Sequence, residues 1–149
     1  MINVDELKEK GICPTCYNKE HGGVYTDLGN RLLYEDDIIE CFFEERPRSI
    51  GHTIILVKSH YNDMSFLPDD VCEYVYKVAK KMMNILKEVL KVERVYLCTM
   101  CDGKINHFHL QLIPRYPNET IGSKNFVKER KKYIEDINTI EKIKVLLND

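Results

Sequence analysis

The chain has 149 residues, of which 44% are hydrophobic and 31% charged, and its formal net charge is -2. That length suits one domain with a single core. A balance so near neutrality gives no general attraction to nucleic acid or to an acidic membrane surface.

No apolar stretch near Met1 to Lys10 reads as a signal peptide, and no run reaches membrane-spanning length. A cytoplasmic location is therefore expected. The six cysteines are then reduced thiols, metal ligands or small buried hydrophobes rather than disulfides. Val4 to Lys10 predicts a short helix or arm ended by Gly11. Cys13-Pro14-Thr15-Cys16 follows, with the shape of a zinc knuckle on a tight turn, and then a polar stretch through Gly22-Gly23. Leu32 to Tyr34 and Ile38 to Phe43 are rich in β-formers and are divided by Glu35-Asp36-Asp37, which reads as a hairpin. Arg46-Pro47-Arg48 marks a loop, Gly51 begins the next element, and Thr53 to Val57 is a buried strand.

Pro68-Asp69-Asp70 is a helix-start signal. From Val71 to Leu90 the apolar residues recur at helical spacing, predicting one long amphipathic helix in which Met82 and Met83 serve packing. Val95 to Leu97 restarts strand, Asp102-Gly103 reads as a hairpin turn, and residues 107–113 form the partner strand. Beyond Tyr116-Pro117 the chain is basic from Lys124 to Lys132, read as a solvated helix face, with phosphate binding as the alternative. Helical spacing then runs through Ile134, Ile137, Ile140 and Ile143. Strands on either side of one long helix predict an α+β fold with a C-terminal helical segment.

In the 107–113 strand, alternation sends Phe108, Leu110 and Leu112 into a core and lines His107, His109 and Gln111 along the other face. Imidazole is a nucleophile, a base and a metal ligand near neutral pH. A structural zinc takes four ligands. Beside Cys13 and Cys16, the candidates are His60, just past the Thr53 to Val57 strand, and His107. The rival set is all cysteine, adding Cys98 and Cys101, and His21 is a further possible ligand. Cys41 and Cys72 sit in apolar patterns and read as core.

Taken together, Tyr34-Glu35-Asp36-Asp37, Phe42-Phe43-Glu44, Pro47, Gly51-His52-Thr53, Lys58-Ser59-His60 and His107-Phe108-His109-Leu110-Gln111-Leu112-Ile113-Pro114-Arg115 resemble the histidine triad (HIT) superfamily in order and spacing. The match runs from about residue 33 to 115; the knuckle at 13–16 extends it toward zinc-bearing members, and 116–149 is a variable extension. Gln111 stands where most members carry a third histidine. That feature is similar to the branch containing galactose-1-phosphate uridylyltransferase and the dinucleoside tetraphosphate phosphorylases.

The resemblance implies a curved antiparallel sheet with one long helix, paired as a homodimer, acting on a nucleotide or dinucleotide. It implies that His109 attacks the α-phosphorus to form a nucleotidyl-histidine, that His52 contacts the phosphates, and that Glu44 accepts the ribose hydroxyls beside a base pocket walled by Phe42. It also makes His107 a structural Zn2+ ligand with Cys13, Cys16 and His60. Gln111 can orient a phosphoryl oxygen but cannot deliver a proton as an imidazolium can. That favours transfer or phosphorolysis over hydrolysis of an amine leaving group. Lys104 stands where members place other phosphate-loop residues, either charging the phosphate or extending into water. Two alternatives remain: a nucleotide-binding protein with little turnover, and a zinc-stapled interaction module using the basic C-terminal segment.

Overall fold

The first hairpin turns on Asp36, whose carboxylate accepts the backbone N–H of Ile38 at 2.8 Å and of Ile39 at 2.9 Å. It joins β1 (Leu32–Glu35) to β2 (Ile39–Phe43), and β3 (Thr53–Val57) pairs on β2's other side. This computed structural model describes residues 2–149. The remaining elements are α1 (Val4–Glu9), α2 (Pro14–His21), α3 (Asp69–Leu90), β4 (Arg94–Cys98), β5 (His109–Arg115) and α4 (Ile137–Leu147). All strand pairs are antiparallel, in the order β1-β2-β3-β5-β4. The α+β class is as expected. Among the described residues, no helix is long and apolar enough to cross a membrane.

α3 follows from its sequence. Pro68 precedes it, Asp69 and Asp70 stand in its first turn, where the helix dipole favours negative charge, and Lys91 closes it in the left-handed region. Val75, Ala79, Met82, Ile85 and Leu86 form its buried stripe. With Ile140, Ile143 and Leu147 of α4, that stripe packs on the sheet face carrying Cys41, Ile55, Leu110 and Leu112. Full burial of a leucine such as Leu110 stabilises by about 2 kcal/mol. The opposite face holds the chemistry in two rows set by the register. Glu40, Leu56 and His109 stand in line across β2, β3 and β5, and Phe42, Ile54, Gln111 and Cys98 form the next row.

The structure corrects four local expectations. Cys13-Pro14-Thr15-Cys16 is the start of α2 rather than a tight turn: Cys13 is the N-cap and Pro14 opens the helix, so residues three apart share one side. The β4–β5 connection is a ten-residue loop, 99–108, rather than a two-residue turn, although Gly103 does take positive φ. β5 runs 109–115, not 107–113, because the Phe108 N–H turns away to Tyr61 O at 2.8 Å. The basic run is not helical. After a short 3-10 turn at Ser123–Phe126 it continues as an extended strap to Asp136, leaving Ile134 outside α4 and 80% exposed.

Candidate functional site

Four side chains from separate segments meet where α2 approaches the end of the sheet. Cys13 and Cys16 come from the start of α2, His60 from the loop after β3, and His107 from the residues entering β5. Their ligand atoms all lie within 4.8 Å of one another. Cys13 Sγ is 3.5 Å from His107 Nδ1, Cys16 Sγ is 3.5 Å from His60 Nδ1, and Cys16 Sγ is 3.6 Å from His107 Nδ1. Ligands on a common tetrahedral centre at ordinary Zn–S and Zn–N lengths stand about 3.5 Å apart.

The outer nitrogens complete the arrangement. His107 Nε2 donates to Val57 O at 2.6 Å and His60 Nε2 faces Asn62 Oδ1 at 3.3 Å. Both rings therefore turn an Nδ1 lone pair inward, as metal-ligating histidines do. Burial pushes the Cys16 thiol up to about 11. Two soft sulfurs and two imidazoles suit a zinc-like ion, and a bound cation is what would make such thiols thiolates. Cys98, Cys101 and His21 do not join the cluster; His21 stacks on Tyr17 instead, with ring centroids 4.5 Å apart.

Next to the cluster a groove of about 400 Å³ crosses the sheet. Phe42, Ile54, Leu56, Tyr25 and Leu28 supply apolar surface, and Glu40, Glu44, His107 and His109 border it. Burial, with Glu35 nearby, raises the Glu40 carboxyl above its ordinary value. His109 Nδ1 donates to the His107 carbonyl at 2.9 Å. That bond assigns the ring proton to Nδ1 and leaves a lone pair on Nε2. The Thr99 hydroxyl donates to His109 O at 2.8 Å and pins the strand there.

Gln111 and His52 lie one step further along. The Arg48 N–H donates to His52 Nδ1 at 3.0 Å, which makes Nε2 the protonated nitrogen; it donates to Gln111 Oε1 at 2.9 Å. The chain of donors orients the amide, leaving the Gln111 NH2 for another acceptor. His52 is 1% exposed, and burial pushes its pKa down to about 4. It is thus a neutral relay behind Gln111 and does not border the groove that holds His109. Gly51 allows this placement. Its φ is +90°, and a Cβ there would run into Leu90 Cδ1 and lie 3.3 Å from Pro114 Cγ.

Six of the expected residues therefore converge: Cys13, Cys16, His60 and His107 in the cluster, with His109 beside it and Gln111 behind. Phe42 and Glu44 line the groove. Lys104 does not; it is exposed in the 99–108 loop. The sequence reading missed the 25–31 segment that roofs the groove and the carbonyls of Val57 and His107 that set the imidazole tautomers. Tyr25 and Leu28, apolar within a polar stretch, were the available signal for the first. Backbone acceptors leave none.

The family model described as HIT domain matches residues 26–118, and the chain belongs to the HIT family. An uncharacterised HIT-like protein of Borreliella burgdorferi is 31% identical over 66% of this chain and 75% of its own length. Adenylylsulfatase HINT3 of Arabidopsis thaliana is 28% identical over 56% of this chain and 44% of its own length. Among solved structures, a Zn-bound histidine triad family protein from Mycobacterium smegmatis superposes with a TM-score of 0.68, covering 91% of this chain and 93% of that one at 16% identity.

Proposed function

We propose that this HIT-family chain is an enzyme that transfers a nucleoside 5'-monophosphate group through a covalent intermediate on His109. The observation that carries this reading is the Nδ1–H bond to the His107 carbonyl, which leaves the His109 Nε2 lone pair at the border of the groove. Nε2 attacks the α-phosphorus; a P–N bond forms as the P–O bond to the leaving group breaks, and the leaving group departs with the electron pair. A second acceptor then displaces His109, splitting one displacement into two easier ones. Phe42 walls the base, Glu44 takes the ribose hydroxyls, and the Gln111 NH2, oriented through His52, donates to a phosphoryl oxygen. Gln111 has no proton to give a leaving group. The site therefore suits groups that leave as stable anions, and transfer or phosphorolysis over phosphoramidate hydrolysis, as in the uridylyltransferase and phosphorylase branch. The name of the Arabidopsis relative makes adenylyl the first group to try.

Cys13, Cys16, His60 and His107 would hold a structural Zn2+, a reading supported by the donor set and by the Zn-bound relative. The ion would supply no reaction step; it would lock α2 and the His107 backbone against the sheet and so hold the carbonyl that orients His109. We further propose a homodimer, which light scattering at micromolar concentration tests directly.

Intact-protein mass spectrometry after rapid quenching with adenylyl sulfate, diadenosine tetraphosphate or UDP-glucose tests the reaction. A mass gain of one nucleoside monophosphate in the natural chain, absent in His109→Ala, is expected. An adduct that persists in His109→Ala would overturn the assignment of the nucleophile. No adduct and no turnover, with nucleotide still bound, would leave a binding protein.

A further inference from the structure

The C-terminal strap runs past the β2–β3 loop, with Tyr133 packing on Phe43 of the core, and brings positive charge beside His52. Its backbone bonds to the β2–β3 loop reciprocally. The Lys131 N–H donates to Pro47 O at 2.7 Å, Arg130 Nη1 donates to Arg46 O at 2.9 Å, and Arg48 Nη1 donates to Lys128 O. Each arginine thus caps a carbonyl of the opposite segment, which brings the Arg130 charge near enough to act on Arg48. Among the described residues, neither Arg48 nor Arg130 forms a salt bridge; Lys128 is taken by Glu119 at 2.8 Å. The charge of Glu44 bears on Arg48, and its Oε1 accepts the Arg46 N–H at 3.3 Å. Arg48 Nε is buried without a partner. Burial first, and then the charge of Arg130, lower the pKa of Arg48. Two like charges held close without an acid between them cost stability unless an anion joins them.

Position decides which anion. Arg48 already spans to the strap, its N–H holds His52, and its charge is felt at Cys98, which pairs with Gln111 across β4 and β5. From His109 to Gln111 is two residues along β5, about 7 Å. A group attached to the phosphorus at His109 and lying away from Phe42 runs along this row toward the guanidiniums. Paired guanidiniums match the oxygens of phosphate through forked hydrogen bonds.

We propose that Arg48 and Arg130 form a subsite for a tetrahedral oxyanion, the phosphate that leaves from or attacks at the nucleotidyl group. The proposal rests on the nucleotidyl-transfer reading above, and it makes anionic, phosphate-bearing leaving groups the preferred substrates. The strap is then the element that selects the second half of the substrate, and the nucleoside half is read by the groove.

The test uses the full metal-loaded chain and separates binding from turnover. Calorimetry with pyrophosphate and with inorganic phosphate should show binding to the natural chain and to His109→Ala, weakened tenfold or more in Arg130→Gln and falling as salt rises. Arg48→Gln removes the strap contact as well as charge, so Arg130→Gln, whose side chain bonds only to an exposed carbonyl, carries the weight, with an unchanged melting temperature as its control. Equal pyrophosphate affinity in the natural chain and Arg130→Gln would overturn the proposal.

Turnover distinguishes the sources of the anion. On a dinucleoside polyphosphate, Arg130→Gln should raise KM tenfold or more if the leaving chain sits there. With inorganic phosphate as acceptor, the rise should appear in the KM for phosphate instead. The p-nitrophenyl ester of AMP, whose leaving group carries no tetrahedral oxyanion, should react unchanged in water. An equal loss on all of them would mark a structural effect and overturn the subsite. Failure of the transfer reaction itself would appear as no turnover on any substrate in the natural chain, while the calorimetry still reads the subsite.

Discussion

Acidification should destabilise this fold through His52, and by an amount the structure sets. The buried ring accepts from the Arg48 N–H at Nδ1 and donates to Gln111 from Nε2, so only the neutral tautomer satisfies both bonds. A proton on Nδ1 would point a donor at a donor. The folded value lies near 4 against 6.5 for the free side chain. A depressed folded pKa means the unfolded chain binds more protons between those values, so stability is fully present above about pH 6.5 and is lost as pH falls through 4. The complete gap corresponds to about 3 kcal/mol, of which about 2 kcal/mol is lost between pH 7 and pH 4.5.

Urea unfolding of the natural chain and of His52→Asn across that range checks this. Loss of metal at low pH affects both proteins and cancels in their difference. The natural chain should be the more stable at pH 7, and its advantage should shrink by about 2 kcal/mol by pH 4.5. Parallel curves would mean that the folded ring takes up its proton as readily as the unfolded chain does, and the relay to Gln111 would then be wrong.

Cys13→Ser or His60→Ala should lower bound zinc, measured by atomic emission, together with the melting temperature; Cys101→Ser should change neither, since it lies outside the cluster. Asn62→Ala, which removes the outer partner of His60 and a long bond from the Asn106 N–H, should weaken zinc about tenfold in a chelator competition. Gly51→Ala should cost about 2 to 3 kcal/mol in chemical denaturation, from positive φ and the collision with Leu90. Adding Leu90→Ala should recover little, because the backbone term remains. Gln111→His should shift product ratios from transfer toward hydrolysis in a partition assay with competing phosphate and water. An unchanged ratio would remove the argument from proton delivery.

Much of this was legible from residue order. Periodicity identified α3 and the strands from Leu32 to Val57 because each is local: one turn signal, one apolar stripe. It also put Phe108, Leu110 and Leu112 in the core, as found. Where it went wrong, the determinants were distant in sequence. His107 leaves the ladder because its side chain joins Cys13 and Cys16, ninety-odd residues away, and no window of a few residues contains that competition. The basic run carries helix-forming residues, yet its backbone bonds to the loop at 46–47 in place of its own preceding turn. The phosphate contact expected of His52 came from the family resemblance and not from residue order. The burial of His52 behind Gln111 is a property of the packed sheet and of Gly51, and it makes the ring a neutral positioning group.

These differences lie where the N-terminal arm and the C-terminal strap meet the sheet. A strand bearing a nucleophile needs its side chain held in one tautomer and rotamer, and a bare sheet face does not do this alone. Here the N-terminal arm approaches one end of the face through sulfur and imidazole, and the C-terminal strap is held at the other by the Arg48 guanidinium on the Lys128 carbonyl and by the Lys131 N–H on the Pro47 carbonyl. The first tie fixes His107 and, through its carbonyl, His109. The second fixes Arg48 and, through its N–H, His52 and then Gln111. His109 and Gln111 are thus each set by a different segment, and the groove lies beside the first of them. Removing metal should therefore disturb His109 and spare the Gln111 amide, whereas loosening the strap should do the reverse. Adduct formation measured against pyrophosphate affinity separates the two.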